Sequence, residues 1–97
     1  MDSAKTLSEL KETMSTAYWR ELAPQLARDG LIVVSVQLDL LDVALSIAED
    51  RTDNVKSWMA GGEIAKPSVD EIERWQSADP KFLCVIVKPF VLIQEAL

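Results

Sequence analysis

Five carboxylates between residues 39 and 53 are the densest group of side chains in this chain that could carry chemistry. Carboxylate oxygens bind divalent cations, and two carboxyl groups in different environments can act as general acid and general base. Asp42, Glu49 and Asp53 fall near one helical face if a single helix continues to residue 53. With Asp50 they make up the candidate acidic site. The alternative interpretation is a capped helix with a solvated acidic stripe, because the spacing matches neither an EF-hand loop nor a Glu-x-x-His site.

The chain contains no histidine and a single cysteine, Cys84. Histidine is the side chain whose ordinary pKa lies near neutral pH, so its absence excludes histidine-based triads, Cys-His pairs and nearly all zinc sites. Cys84 stands between Leu83 and Val85, whereas a reactive thiol needs an electropositive, partly exposed setting. We therefore expect a buried structural thiol. The sequence assigns no catalytic residue, no cofactor and no metal site.

Ten basic and sixteen acidic side chains give the chain a net charge of −6. The pattern shows no concentrated basic face, so we expect neither nucleic acid nor an anionic membrane as a partner. The apolar runs are far shorter than the roughly 18 residues that indicate a membrane span, and the first residues do not resemble a signal peptide. We therefore expect a cytoplasmic protein, and the single cysteine agrees with a reducing compartment.

The spacing of apolar residues predicts one domain over residues 1–97, with a helical N-terminal part (residues 1–29) and an α/β part (residues 30–97). Pro24 interrupts the helical pattern, so a break is expected somewhere in residues 17–23. Gly30 stands where a left-handed C-terminal helix cap belongs.

Two short apolar segments, residues 31–36 and 82–87, predict strands that are covered on both faces. Residues 63–66 are a candidate for a further short strand. Asp39 is predicted to cap the most buried helix, and Ser68-Val69-Asp70-Glu71 is a capping box for another. Strands separated by helices predict an α/β layered fold, with a short sheet of two to four strands and helical crossovers.

A further apolar run follows Pro89, and it suggests an interaction surface. Proline cannot donate to a sheet ladder, so we expect this run near an edge or a bend, where cover from the same chain is hardest to complete. An uncovered apolar patch is a site of association, and a symmetric dimer is its commonest form. The candidate interaction surface consists of Trp19, Pro89, Phe90, Val91, Leu92 and Ile93. The alternative is that Trp19 and the N-terminal helices cover the run within one chain.

Several stretches of the sequence carry a resemblance to a known family. They are Leu38-Asp39-Leu40-Leu41-Asp42-Val43-Ala44-x-x-Ile47-Ala48-Glu49-Asp50, Val55-x-x-Trp58-x-x-Gly61-x-x-Ile64, Trp75, and Val87-x-Pro89-Phe90-Val91-Leu92-Ile93-Gln94-Glu95. Together with Trp19-x-Glu21-Leu22 they resemble DUF2288, a family of small bacterial proteins of unknown function. The resemblance covers nearly the whole chain and implies a bacterial source and a stand-alone domain. It implies no activity and no catalytic residue.

The sequence favours a small binding or assembly module without catalysis, acting as a homodimer or with an unidentified protein partner. One alternative is a binder of a small molecule or divalent cation that uses the acidic helix face and the tryptophans. A third is an enzyme without histidine. An apolar groove in the structure would favour the first, and a closed pocket lined by tryptophan and converging acids the second. A buried carboxylate with a raised pKa would favour the third.

Overall fold

Five strands form one sheet in the computed structural model, which describes residues 3–96. The strands are β1 (Ser15–Tyr18), β2 (Leu31–Val34), β3 (Ile64–Ala65), β4 (Lys81–Val87) and β5 (Phe90–Glu95). Their order across the sheet is β1-β4-β5-β2-β3. β2 and β5 run parallel, and the other neighbours are antiparallel. The predicted α/β class is confirmed, with one strand more than expected.

Helices cover both faces of the sheet. On one face lie α1 (Ser3–Thr13), α3 (Leu40–Ala48) and α4 (Thr52–Ala60), and on the other α2 (Trp19–Leu22), a 3-10 helix (Ala23–Arg28) and α5 (Val69–Ala78). Alternate residues of β4 and β5 enter the two cores, so both strands are apolar on both faces, as predicted for β4. None of the helices within residues 3–96 is long and apolar enough to cross a membrane.

The core under α1 and α3 is aliphatic. Val43 and Ala44 of α3 are completely buried against β4 and β5, beside Val85 and Leu92. Burying a side chain of this size contributes roughly 1.5–3 kcal/mol. The buried members of this core are Leu10, Val34, Leu40, Val43, Ala44, Ile64, Val85, Val87 and Leu92.

The core on the opposite face is aromatic. Trp75 packs 5.0 Å from Trp19 and 5.0 Å from Phe82, measured between ring centroids, and its ring stands at 86° to that of Phe82. Edge-to-face pairs add about 0.5–1.5 kcal/mol beyond burial. The Trp75 indole N–H donates to Glu95 Oε1 at 2.8 Å. Trp19 is only 2% exposed, so its side chain belongs to the core and not to an exposed interface.

The N-terminal part is not helical throughout, because β1 lies inside it. β1 pairs antiparallel with β4, from Ser15 opposite Cys84 to Tyr18 opposite Lys81. Thr13 joins the end of α1 to the same strand, since its hydroxyl accepts from the Ile86 N–H at 3.1 Å. The expected break within residues 17–23 therefore comes earlier and is a strand. Its partner is more than sixty positions away in sequence, which local spacing does not reveal.

Two other local expectations also need correction. The left-handed residue at the end of the 3-10 helix is Asp29 (φ 54°), and the expected cap, Gly30, follows it. An aspartate tolerates this conformation because its short side chain can bond locally. The buried helix α3 ends at Ala48, where Asp50 (φ 53°) turns the chain into α4. A single helix from residue 40 to residue 53 does not form.

The predicted N-caps are confirmed. The Asp39 carboxylate accepts from the Asp42 N–H at 3.0 Å, and Ser68 and Glu71 exchange the two bonds of a capping box. The side chain of a buried glutamine in the sheet holds the loop before Asp39 by hydrogen bonds. Gln94 of β5 is 8% exposed, and its amide donates to the carbonyls of Ser35 and Leu38, both at 2.8 Å.

Replacing Asp39 tests how much this cap contributes. We expect Asp39→Ala to lower the free energy of unfolding by about 1 kcal/mol, and Asp39→Asn to lower it much less, because asparagine also caps. Urea unfolding of the three proteins at pH 7 measures the difference. Equal, large losses for both variants would contradict a capping role and indicate one that needs the charge.

Candidate functional site

An apolar pocket of about 270 Å³ opens between β2, β3, α3 and α4. The side chains that form its walls come from five elements of the fold, together with the residues that flank β2 and β3. The lining residues are Asp29, Leu31, Ile32, Ile47, Val55, Met59, Ile64, Ala65, Lys66 and Phe90. Eight of these ten are apolar residues, so the lining of the pocket is predominantly apolar.

The pocket exists because the sheet is poorly covered at its β3 edge. β3 has only two residues, and Pro67 follows it closely and cannot donate to a ladder. On the helical side, the turn at Asp50 separates α3 from α4, so Ile47 and Val55 face the sheet from two different helices. The space between these helices and the sheet edge is the pocket.

Charged groups lie only at the mouth of this pocket. Lys66 forms an ion pair with Asp29, and both side chains are well exposed, at 67% and 70%. An ion pair in such a position is worth roughly 0–1 kcal/mol, so it can rearrange at little cost. Met59 forms a flexible apolar lip and is 61% exposed.

A second, more polar depression adjoins the apolar pocket and shares Ile47 and Val55 with it. Ser46, Asp50, Thr52 and Lys56 complete its lining. The two depressions meet at Ile47 and Val55, at the junction of α3 and α4.

The four candidate acidic residues do not form one cluster, although Asp50 and Asp53 line the same shallow depression. Asp42 lies in the first turn of α3 and Asp53 in the first turn of α4, and both are exposed. Glu49 pairs with Arg51 at 2.6 Å, and Asp50 occupies the turn between the helices. The shared helical face on which the hypothesis rested is absent, because α3 ends first. Within residues 3–96, no group of three or more His, Cys, Asp or Glu side chains is placed to hold a metal ion.

The candidate interaction surface is mostly interior. The run after Pro89 was expected near an edge or a bend. The edge is wrong, because β5 is the middle strand of the sheet, and the bend is present, because residues 88–89 form the turn between β4 and β5. Trp19, Leu92 and Ile93 are at most 2% exposed. Pro89 is exposed in the turn before β5, where its peptide bond with Lys88 is cis. The remaining two residues, Phe90 and Val91, are half-buried, and Phe90 lines the apolar pocket.

Sequence reasoning missed most of the pocket. Ile47, Val55 and Ile64 each looked like ordinary core residues of separate elements, and only the tertiary arrangement brings them together. A signal was present in Met59, which directly follows Trp58, so that two large apolar side chains stand side by side on a short helix.

Cys84 is a buried thiol, as expected, beside the aromatic core. Burial, and secondarily the negative charge of Glu21, raises the pKa of Cys84 to about 11. The thiolate is therefore strongly disfavoured at neutral pH, which is the opposite of what a nucleophilic cysteine requires.

Comparison with known proteins gives the family but no activity. The family model described as "Protein of unknown function (DUF2288)" matches residues 5–95. This chain belongs to the DUF2288 family. A solved structure described as "NMR solution structure of PA1075 from Pseudomonas Aeruginosa" is similar, with a TM-score of 0.82 and 35% sequence identity over 95% of this chain and 86% of that one. No curated protein matches this DUF2288 chain.

The raised pKa of Cys84 predicts a loss of stability in alkaline solution. The unfolded thiol has a pKa of 9.0, whereas burial raises the pKa of the folded Cys84 thiol to about 11. Between these values the free energy of unfolding should fall by about 1.4 kcal/mol per pH unit. Urea unfolding at pH 8 and pH 10 measures this, with Cys84→Ala as the control for other titrating groups. The prediction is wrong if both proteins lose the same stability over this interval.

Proposed function

We propose that this protein is a non-catalytic binding module whose binding site is the apolar pocket. The supporting observation is the lining itself: eight of the ten residues around an open depression of about 270 Å³ are apolar, and the other two form one ion pair. An apolar group that enters such a pocket leaves water and meets preformed apolar walls, which drives binding without chemistry.

The position of the pocket in the fold supports the proposal. Ile32, Ile64 and Phe90 are held by the sheet, and Ile47 and Val55 by helices. Walls on regular elements keep their shape, so little ordering cost opposes binding. We further propose that the protein is bacterial and cytoplasmic, and that neither nucleic acid nor a membrane is its partner. The free thiol and the net charge of −6 are consistent with these expectations.

Filling the pocket should weaken binding of a small neutral apolar ligand. We expect toluene to bind the wild-type protein saturably at one site, and Val55→Phe to weaken this binding at least tenfold, because the larger ring occupies the cavity. Val69→Phe is the matched control, since Val69 is 70% exposed on α5, on the opposite face of the sheet. Two-dimensional ¹⁵N NMR titration measures the affinities. Identical binding by all three proteins, or none by the wild type, would refute the proposed site.

A second candidate function, self-association, is favoured by the rim of the same pocket. Met59 is an exposed apolar residue, and beside it the pair of Lys66 and Asp29 offers one charge of each sign. A surface with these properties is self-complementary across a two-fold axis, because each lysine can face the partner's aspartate while the methionine lips pack together. This arrangement replaces the C-terminal run as the proposed dimer surface.

The dimer hypothesis predicts a mass that depends on Met59. At tens of micromolar, light scattering after size exclusion should give twice 10.8 kDa for the wild type and 10.8 kDa for Met59→Glu. Val69→Glu also places a negative charge at an exposed apolar residue, but on the opposite face of the sheet, and it should leave the dimer intact. A wild-type protein that stays at 10.8 kDa throughout this range would exclude self-association.

A further inference from the structure

We infer that the outer edge of β1 pairs with the same edge of a second copy of this chain, antiparallel and with Thr16 on the two-fold axis. β1 is one of the two outer strands of the sheet, and the apolar pocket lies at the other outer strand, β3. The inference therefore goes beyond the proposed binding site. Three observations carry it: the free backbone groups of Thr16, the unprotected edge and the match of the strand with itself.

The backbone of β1 leaves one residue free to pair on its outer side. Just beyond the ends of β1 and β4, the Trp19 N–H donates to the Pro80 carbonyl at 3.0 Å. Residues that bond to the neighbouring strand alternate with residues that point away from it, so Thr16, three positions before Trp19, points away. The Tyr18 N–H, which also points outward, already donates to Glu21 Oε2 at 2.8 Å. Thr16 therefore offers both its N–H and its C=O to a further strand.

The two edges of the sheet differ in their protection against such pairing. β3 has two residues, lies between Glu63 and Lys66, and is followed by Pro67. Short length, charge and proline are features that keep an edge strand unpaired. β1 has four residues without charge or proline, and two exposed apolar side chains lie along it, Met14 directly before the strand and Tyr18 at its end. The β1 edge is therefore open to a strand of matching chemistry.

The strand matches a second copy of itself. With Thr16 on the two-fold axis, its N–H donates to the C=O of Thr16 in the second copy, and symmetry forms the reverse bond. The same register places Met14, which is 36% exposed, opposite Tyr18 of the second copy, which is 40% exposed. Cross-strand threonine pairs and contacts of sulfur with an aromatic ring both stabilise such a pairing. A second copy therefore supplies the matching strand.

The side chains that would meet lie on one open part of the sheet. Thr16 stands opposite Leu83, whose side chain packs against the aliphatic core. Met14 and Tyr18, two positions away on either side, lie on that same face, because side chains alternate along a strand. α1, which precedes β1 in the chain, packs mainly on β4 and α3. The exposure of Met14 and Tyr18 is the consequence.

The charges on either side of the strand favour two antiparallel copies. Lys11 and Glu12 precede the strand segment, and Arg20 and Glu21 follow it. Antiparallel pairing about Thr16 brings the first flank of one copy toward the second flank of the other, so that Lys11 approaches Glu21 and Glu12 approaches Arg20. Each charge then meets the opposite sign. Because Arg20 and Glu21 also keep bonds within their own chain, we expect the charges to contribute only a few-fold in affinity.

A charge placed on the two-fold axis tests the inference, because residue 16 then meets its own copy. The background is Met59→Glu, which removes the contact proposed at the pocket rim, and water-exchange ¹⁵N NMR measures hydrogen exchange of the residue 16 amide. In this background we expect that exchange to slow about fivefold or more between about 0.05 mM and about 1 mM, because the amide gains its hydrogen bond only in the pair. Thr16→Val, the matched control, should keep this slowing.

Thr16→Lys and Thr16→Glu should each abolish the slowing, because like charges directly opposite each other destabilise a strand pair. An equal mixture of these two variants should restore it, because the opposite charges then meet across the axis. Thr16 is exposed, so both variants keep the fold, which the remaining signals of the ¹⁵N spectrum verify.

The outcomes separate this contact from the pocket. Exchange of the residue 16 amide that does not depend on protein concentration would overturn the inference, whatever the pocket binds. Slowing that persists in Thr16→Lys alone would place the contact elsewhere and overturn it as well. Slowing that is lost in both charged variants and returns in their mixture would confirm the pairing of β1 with its own copy.

Discussion

The pairing of β5 between β4 and β2 is the constraint on which the rest of this structure depends. β5 is antiparallel to one neighbour and parallel to the other, so its backbone is satisfied on both sides and its side chains need cover on both faces. The two cores are the consequence. One is aliphatic and lies under α1 and α3, and the other is aromatic and centres on Trp75. Gln94 of the same strand has a buried side-chain amide, which donates hydrogen bonds to two carbonyls of the loop before α3.

The pocket lies where this cover is incomplete. Full cover of β2 would need a longer strand at its outer edge or a continuous helix above it, and the chain provides a two-residue β3 and a helix interrupted at Asp50. The aromatic face has no comparable opening at Trp75 and Phe82, where large rings fill the space at close contact. Cys84 lies beside them with a pKa of about 11 and serves packing alone. The opening that this fold leaves on its aliphatic face is therefore lined mainly by apolar residues.

Local features of the fold were predictable because local forces create them. A carboxylate or hydroxyl three residues before a free helix N–H can accept its hydrogen bond, which is why the caps at Asp39 and Ser68 were assigned correctly. The strand β1 could not be found in this way, since its partner β4 lies more than sixty residues further on. The site was equally hidden. Phe90 belonged to the proposed interaction surface and does line the pocket. It was expected near an edge or a bend, and it follows the bend at residues 88–89 in a strand that is central in the sheet.

The sequence by itself determined the α/β class, both buried strands, the helix caps, the inert thiol and the family, because each follows from side-chain pattern within a short window or from motifs along the chain. Only the tertiary structure decided the strand order and the separation of the acidic residues. It also decided the burial of Trp19 and the existence of the pocket. These depend on which distant segments meet, and the hydrophobic effect that brings them together is non-directional. The pattern of apolar side chains shows which residues must be buried, and the backbone pairing of distant strands decides where in the fold they lie.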